Sequence, residues 1–226
     1  MPSTFPPARR GSYAALVSLA LFVICGFSTN SADARAAAPH RPGQVYLMRG
    51  LFNVFSLGMD ELAAKLARVG VKAEVVSYTS WSSLADSITA RYRAGNREPI
   101  ILMGHSFGAD TTISLARKLN ENRIPVALIV NFDPTAPDRV PRNVRRIINF
   151  YVPTAWGRPV EGGKRFRGRL SNLNESGKYS HFGIDKAEDL HRKAIAAVLQ
   201  AVGRGTHRVK RPPPPKRDRI SAAPVQ

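Results

Sequence analysis

Cysteine is almost missing from this 226-residue chain. Cys25 is the only one, so no disulfide can close within the chain and no multi-cysteine metal site can form. The five histidines are scattered without ligand spacing, which argues against a metal enzyme and leaves no metal or cofactor expected. Acidic residues are also scarce, 16 against 34 Lys and Arg, and the formal net charge of +18 is high for a simple soluble enzyme. The longest apolar run, residues 14–27, is too short for a comfortable transmembrane helix. No internal repeat and no nucleic-acid motif are visible, and the basic C-terminal stretch lacks the interleaved aromatics of a nucleic-acid binder. What remains is a chain long enough for one ordinary domain, with 43% hydrophobic residues to fill its core.

The two ends read as something other than that domain. Arg9 and Arg10 precede the apolar run, and Ser31-Ala32-Asp33-Ala34 offers small residues where a signal peptidase reads. Residues 1–34 are therefore expected to be a signal peptide cleaved after Ala34, giving a periplasmic or secreted protein, with an uncleaved N-terminal anchor as the alternative. Gly11-Ser12 fit a twin-arginine signal poorly. Ile24 stands before Cys25 where a lipoprotein signal wants a small residue. Residues 35–43 form a linker. Residues 203–226 carry four consecutive prolines and seven cations against the single anion Asp218. Such a segment cannot bury enough surface to offset its ordering entropy, and a flexible, partly polyproline tail is expected.

Between these ends, Gly104-His105-Ser106-Phe107-Gly108 is the most informative stretch. It reads G-x-S-x-G, follows the apolar run Ile100-Ile101-Leu102-Met103 and opens a helical pattern. A nucleophile elbow needs that succession of strand, sharp turn and helix. Around it, residues 44–202 alternate short apolar runs with amphipathic helical patterns, the mark of a parallel sheet covered by helices. Strands are expected at 45–48, 73–78, 99–103, 125–132 and 146–152. Helices are expected at 57–69, from Ser82 or Ser83 to 94, through 111–119, and at 186–202. The predicted fold class is α/β, with about five mainly parallel strands flanked by helices.

A serine is a weak nucleophile until a base takes its proton. Among the histidines, His40 and His207 lie in the terminal segments. His105, the neighbour of Ser106, is expected to point away from the pocket, and His191 to sit on a solvated helix face. His181, in a loop just before the last helix, is left as the base. An imidazole in that role needs an acid to hold its tautomer. Asp133 ends the fourth strand on the same sheet edge as Ser106. Asp138 is the reserve, while Asp110 and Asp60 read as helix-surface or structural carboxylates. Two backbone N–H groups must then receive the oxyanion. Phe107 follows the nucleophile at the helix start, and Leu51 follows Gly50 in the loop after the first strand.

The order Ser106, Asp133, His181, together with the elbow and the strand–helix alternation, resembles the α/β-hydrolase superfamily over residues 44–202. The resemblance implies a parallel sheet with the site at its carboxyl edge, and hydrolysis of esters, thioesters or amides through an acyl-enzyme. Two departures stand out. Arg49-Gly50 replaces the His-Gly that many members carry after the first strand, and residues 134–145 are too few for a separate lid domain. The chain looks like the compact esterases, lipases and thioesterases.

Leu51, Phe52, Phe55 and Trp156 could line an acyl pocket. A basic rim is expected beside it from Arg139, Arg142, Arg145, Arg146, Arg158, Lys164, Arg165, Arg167 and Arg169, steering anionic esters, acyl carriers or envelope lipids, unless it is simply a solvated basic surface. The expected partner is a small-molecule ester or thioester, and the basic tail could attach the protein to an anionic envelope surface. The competing reading is a hydrolase-fold protein with little or no catalysis that binds anionic envelope polymers or membranes.

Overall fold

The computed structural model describes residues 40–51, 56–154 and 156–203, so the expected signal peptide and all of the expected tail but Gly203, which ends the last helix, lie outside the described residues. Strands β1 (Gln44–Arg49), β2 (Ala73–Ser77), β3 (Ile100–His105), β4 (Leu128–Phe132), β5 (Arg146–Tyr151) and β6 (Arg169–Asn174) form one sheet in the order β2-β1-β3-β4-β5-β6. All five pairings are parallel. The helices are α1 (Leu57–Arg68), α2 (Trp81–Arg93), α3 (Phe107–Glu121) and α4 (Glu188–Gly203).

The central strands have apolar residues on both faces, as a sheet covered on both sides requires. Successive side chains alternate between two cores. Val45, Leu47, Ile101, Met103, Val130 and Phe150 face α1 and α4, which contribute Met59, Leu62, Leu66, Leu190, Ala194 and Val198. Tyr46, Met48, Ile100, Leu102, Ile129 and Ile147 face α2 and α3, which contribute Leu84, Ile88, Ile113, Ala116 and Leu119. Burying a side chain of this size contributes about 1.5–3 kcal/mol.

The sheet has six strands where the sequence suggested about five. The extra strand, β6, lies between the fifth expected strand and His181, where no strand was expected. It is an edge strand with mostly exposed side chains, and only Leu170 and Leu173 are apolar. An edge strand need not carry the continuous apolar run that marks a central one, and its pairing with β5 holds it instead.

Candidate functional site

Ser106 stands between the last residue of β3 and the first of α3, with φ 56° and ψ −127°. A side chain at positive φ is strained, and the surroundings must fix it. The Ser106 N–H donates to the Phe132 carbonyl at 3.0 Å, and the Ser106 carbonyl accepts from the Ala109 N–H at 2.9 Å. The flanking glycines are sterically required. A Cβ on Gly104 would lie 2.3 Å from the Gly108 carbonyl oxygen, and one on Gly108 would lie 2.2 Å from that of Met48. Without those side chains α3 packs directly on β1 and β3, and the Ser106 hydroxyl stands at the carboxyl edge of the sheet.

Asp133 occupies the equivalent place one strand over. It follows β4, has φ 54°, is fully buried, and donates its N–H to the Phe150 carbonyl at 2.7 Å. Its Oδ1 accepts the Val152 N–H at 2.6 Å, and its Oδ2 lies 2.7 Å from His181 Nδ1. His181 Nε2 lies 3.0 Å from Ser106 Oγ. A carboxylate only accepts, so Nδ1 carries the hydrogen and the Nε2 lone pair faces the hydroxyl. The structure thus brings Ser106, His181 and Asp133 into one hydrogen-bonded chain. Asp138 lies elsewhere, paired with Arg117 at 2.8 Å. Asp110 holds the loop after Asp133, accepting from the Thr135 and Ala136 N–H groups and the Thr135 hydroxyl, and burial pushes its pKa up. Asp60 forms an ion pair with Arg49.

A second buried network lies beneath this chain. His105 Nε2 is 2.8 Å from the His181 carbonyl oxygen, and His105 Nδ1 is 2.8 Å from Ser56 Oγ. A carbonyl cannot donate, so Nε2 carries the proton. Nδ1 of the neutral ring then accepts from the Ser56 hydroxyl, which in turn accepts the Gly50 N–H at 2.9 Å. Burial lowers the His105 pKa to about 4, which keeps the ring neutral at pH 7. The loop after β1 is thereby tied to the backbone of His181. Asp185 lies alongside, its Oδ2 3.8 Å from His105 Nδ1 and accepting the Gly58 N–H at 3.1 Å. Burial raises its pKa to about 6. His105, expected to face away, instead packs its ring 5.0 Å from that of His181 and lines the same cavity as Ser106. The available signal was its place just after the apolar run Ile100-Ile101-Leu102-Met103, the mark of a buried strand, because a buried imidazole must find polar partners.

The cavity above Ser106 has a volume of about 330 Å³. Leu51, Phe107, Trp156 and Phe182 line it and are all exposed. The Trp156 ring meets that of His181 edge-on at 4.9 Å and lies 5.7 Å from that of Phe182. Leu51 and Phe107 therefore border the space in front of Ser106. Phe107 is the first residue of α3, where backbone N–H groups have no partner within the helix. No charged side chain is among the described residues that line this cavity. Phe52 and Phe55, expected in the pocket, lie outside the described residues.

No family model matches this chain, and no curated protein does. Among solved structures it is similar to the type II thioesterase BorB from the borrelidin biosynthetic cluster. Identity is 17%, 73% of this chain and 94% of that one are covered, and the TM-score is 0.51. The fold is α/β-hydrolase-like. Two further likenesses are weaker. A protein of the alpha/beta hydrolase superfamily from Xanthomonas campestris pv. campestris is 17% identical over 70% of this chain and 99% of that one, at a TM-score of 0.41. The NocB thioesterase domain from the nocardicin cluster is 15% identical over 72% and 95%, at 0.43.

Within this hydrolase-like fold two further expectations need correction. His191 is fully buried rather than solvated, because α4 turns that face onto α1. Its Nδ1 accepts from Lys65 Nζ at 2.8 Å, and its Nε2 lies 2.5 Å from the Asp185 carbonyl oxygen. Glu61, Glu188 and His191 come close enough together to ligate a metal ion, but both ring nitrogens of His191 are already engaged by the protein. The expected basic rim is also misplaced in part. Arg146 and Arg169 begin β5 and β6, so with Arg145 and Arg167 they lie at the amino edge of the sheet, opposite Ser106.

Proposed function

We propose that this protein is a serine hydrolase that cleaves carboxylic esters or thioesters through an acyl-enzyme, and that residues 1–34 direct its export. The carrying observation is the chain Asp133–His181–Ser106, with distances of 2.7 and 3.0 Å, at the floor of an apolar cavity. In this reading His181 Nε2 takes the Ser106 proton as Oγ attacks the acyl carbon, and the imidazolium is stabilised by the buried Asp133 carboxylate. The backbone N–H groups of Phe107 and Leu51 receive the oxyanion, each typically contributing about 2.7–4 kcal/mol to transition-state stabilisation. His181 then protonates the leaving group. Water, activated by the same imidazole, attacks the acyl-enzyme and releases the acid. The apolar lining favours a hydrocarbon or aromatic acyl group, and the neighbour described as a thioesterase puts thioesters among the substrates to test.

The test is labelling of the purified protein by a fluorophosphonate, with turnover of p-nitrophenyl esters of increasing chain length and one acyl-CoA. Ser106→Ala is expected to abolish labelling, and Asp133→Asn to lower kcat by about 10⁴. Labelling that persists in Ser106→Ala would point to another nucleophile. Absence of both labelling and turnover in the wild type would leave a binding protein on a hydrolase-like fold.

A further inference from the structure

The amino edge of the sheet carries a second cavity, of about 430 Å³, with four arginines in its wall: Arg145, Arg146, Arg167 and Arg169. Its volume falls in the range of small-ligand sites. No carboxylate is among the described residues that line it. We infer that this cavity binds an anion presenting two or more phosphate groups.

Three observations carry the inference. Arg146 and Arg169 are register partners on adjacent parallel strands, which brings two arginines to one end of the sheet beside one cavity. Gly168 then clamps the two arginine pairs together. A Cβ there would lie 2.4 Å from the Val144 carbonyl oxygen and 2.8 Å from that of Arg145, so only glycine lets the Arg167–Arg169 backbone come this close to residues 144–145. Orientation is supplied from α4, whose Gln200 Oε1 accepts from the Arg146 guanidinium at 3.0 Å.

The planar guanidinium fork matches phosphate oxygens in bidentate fashion, and a group of four suits a ligand with several phosphates better than a single carboxylate. The two sites lie at opposite ends of five- and six-residue strands, roughly 17–20 Å apart. The inference therefore stands whether or not Ser106 proves catalytic. Free oligophosphate and the headgroups of an anionic lipid surface share this chemistry.

Calorimetric titration of the full-length protein with sodium tripolyphosphate, beside sedimentation with phosphatidylcholine vesicles containing or lacking phosphatidylglycerol, separates the two sources. Arg167→Ala/Arg169→Ala is compared with Arg68→Ala/Arg192→Ala, which removes the same charge from exposed positions on α1 and α4. One tripolyphosphate per chain is expected, weakened at least tenfold by the first pair and less than threefold by the second. Binding only to phosphatidylglycerol vesicles, with the same dependence on Arg167 and Arg169, would support the site and identify neighbouring headgroups of an anionic surface, rather than a free oligophosphate, as its ligand. Equal weakening by both pairs, or no saturable binding to either probe, would overturn the inference.

Discussion

Replacing His105 with leucine removes both hydrogen bonds that join the loop after β1 to the backbone of His181. The Ser56 hydroxyl loses its acceptor and the His181 carbonyl its donor, both in a buried site. A buried polar group left without a partner costs about 1–3 kcal/mol, so the expected destabilisation is roughly 2–6 kcal/mol. That is a large share of the roughly 5–15 kcal/mol that holds a typical domain together. His105→Gln is the companion variant: an amide N–H can still reach the His181 carbonyl, and roughly half the loss should be recovered. The effect on rate is separate. If the loop bearing Leu51 or the imidazole of His181 shifts by about 1 Å, a loss on the order of 10² in kcat is expected, with KM little changed because the apolar walls remain. The assay is the rate of fluorophosphonate labelling and of ester turnover, beside a urea melt on the same samples. A folded His105→Leu protein with the expected loss of stability and a wild-type kcat would refute the idea that this network positions the site.

Two further outcomes follow from contacts around the same residues. In Gly157→Ala the new Cβ would lie 1.7 Å from Asp133 Oδ1 and 2.7 Å from the Val152 nitrogen, so the carboxylate must move or the loop must open. A fall in kcat of about 10² or more is expected, with a melting temperature lowered by several degrees for the roughly 1–3 kcal/mol of overpacking; an unchanged rate would show that Asp133 tolerates displacement. Asp185→Asn tests the buried carboxyl beside His105. The folded-state pKa of about 6 lies above the ordinary 3.8, so the fold favours the protonated form, and this contribution is present below about pH 4 and lost as pH rises through 6. His105, lowered to about 4 from 6.5, acts in the opposite sense and costs stability as pH falls through the same window. The amide removes the first effect alone, so Asp185→Asn should lose roughly 2–3 kcal/mol relative to the wild type between pH 7 and pH 4. Urea midpoints at the two pH values measure it, and parallel profiles would contradict the assignment.

Much of the frame could be read from the sequence because its signals are local. Apolar runs such as Ile100–Met103 mark strands wherever they occur, and the pairing of glycines about Ser106 reports a tight turn without knowledge of its neighbours. Asp133 could be placed at the same edge because it directly follows an apolar run. The second network had no such signature. Its bonds join residues 49, 76 and 127 positions apart, and nothing in the spacing of Ser56, Gly58, His105 and Asp185 foretells their meeting. The two-residue alternation of a strand argued that His105 and Ser106 face opposite ways. That rule stops applying where the chain leaves β3 at positive φ. Strand β6 was hidden for a related reason, since an edge strand owes its place to its partner rather than to its own apolar content. Arg167 and Arg169 were misplaced because residue type revealed their charge, whereas only the pairing of β6 with β5 reveals which end of the sheet they occupy; Arg146 already opened an expected strand.

The positive φ values of Ser106 and Asp133 have one origin. At His105↔Phe132 and Phe132↔Phe150 the parallel ladder is still regular, and one residue beyond each strand the ladder bond is also kept, from Ser106 to Phe132 and from Asp133 to Phe150. Only after donating that last N–H does each chain bend away. The two residues that flank His181 are therefore anchored to adjacent strands by their own amides while their side chains are turned up to the sheet edge. Each strained residue costs about 1–3 kcal/mol. The cost is tolerated because the strands beneath are buried on both faces, and relaxing either residue would mean breaking a ladder bond inside the core. A rigid sheet can hold a hydroxyl and a carboxylate at a fixed separation only at its ends, and an imidazole on a third segment need then adjust only itself to bridge them. That division explains why the packing around His181, through His105, Trp156 and Phe182, is the place where geometry can still be lost without disturbing the sheet.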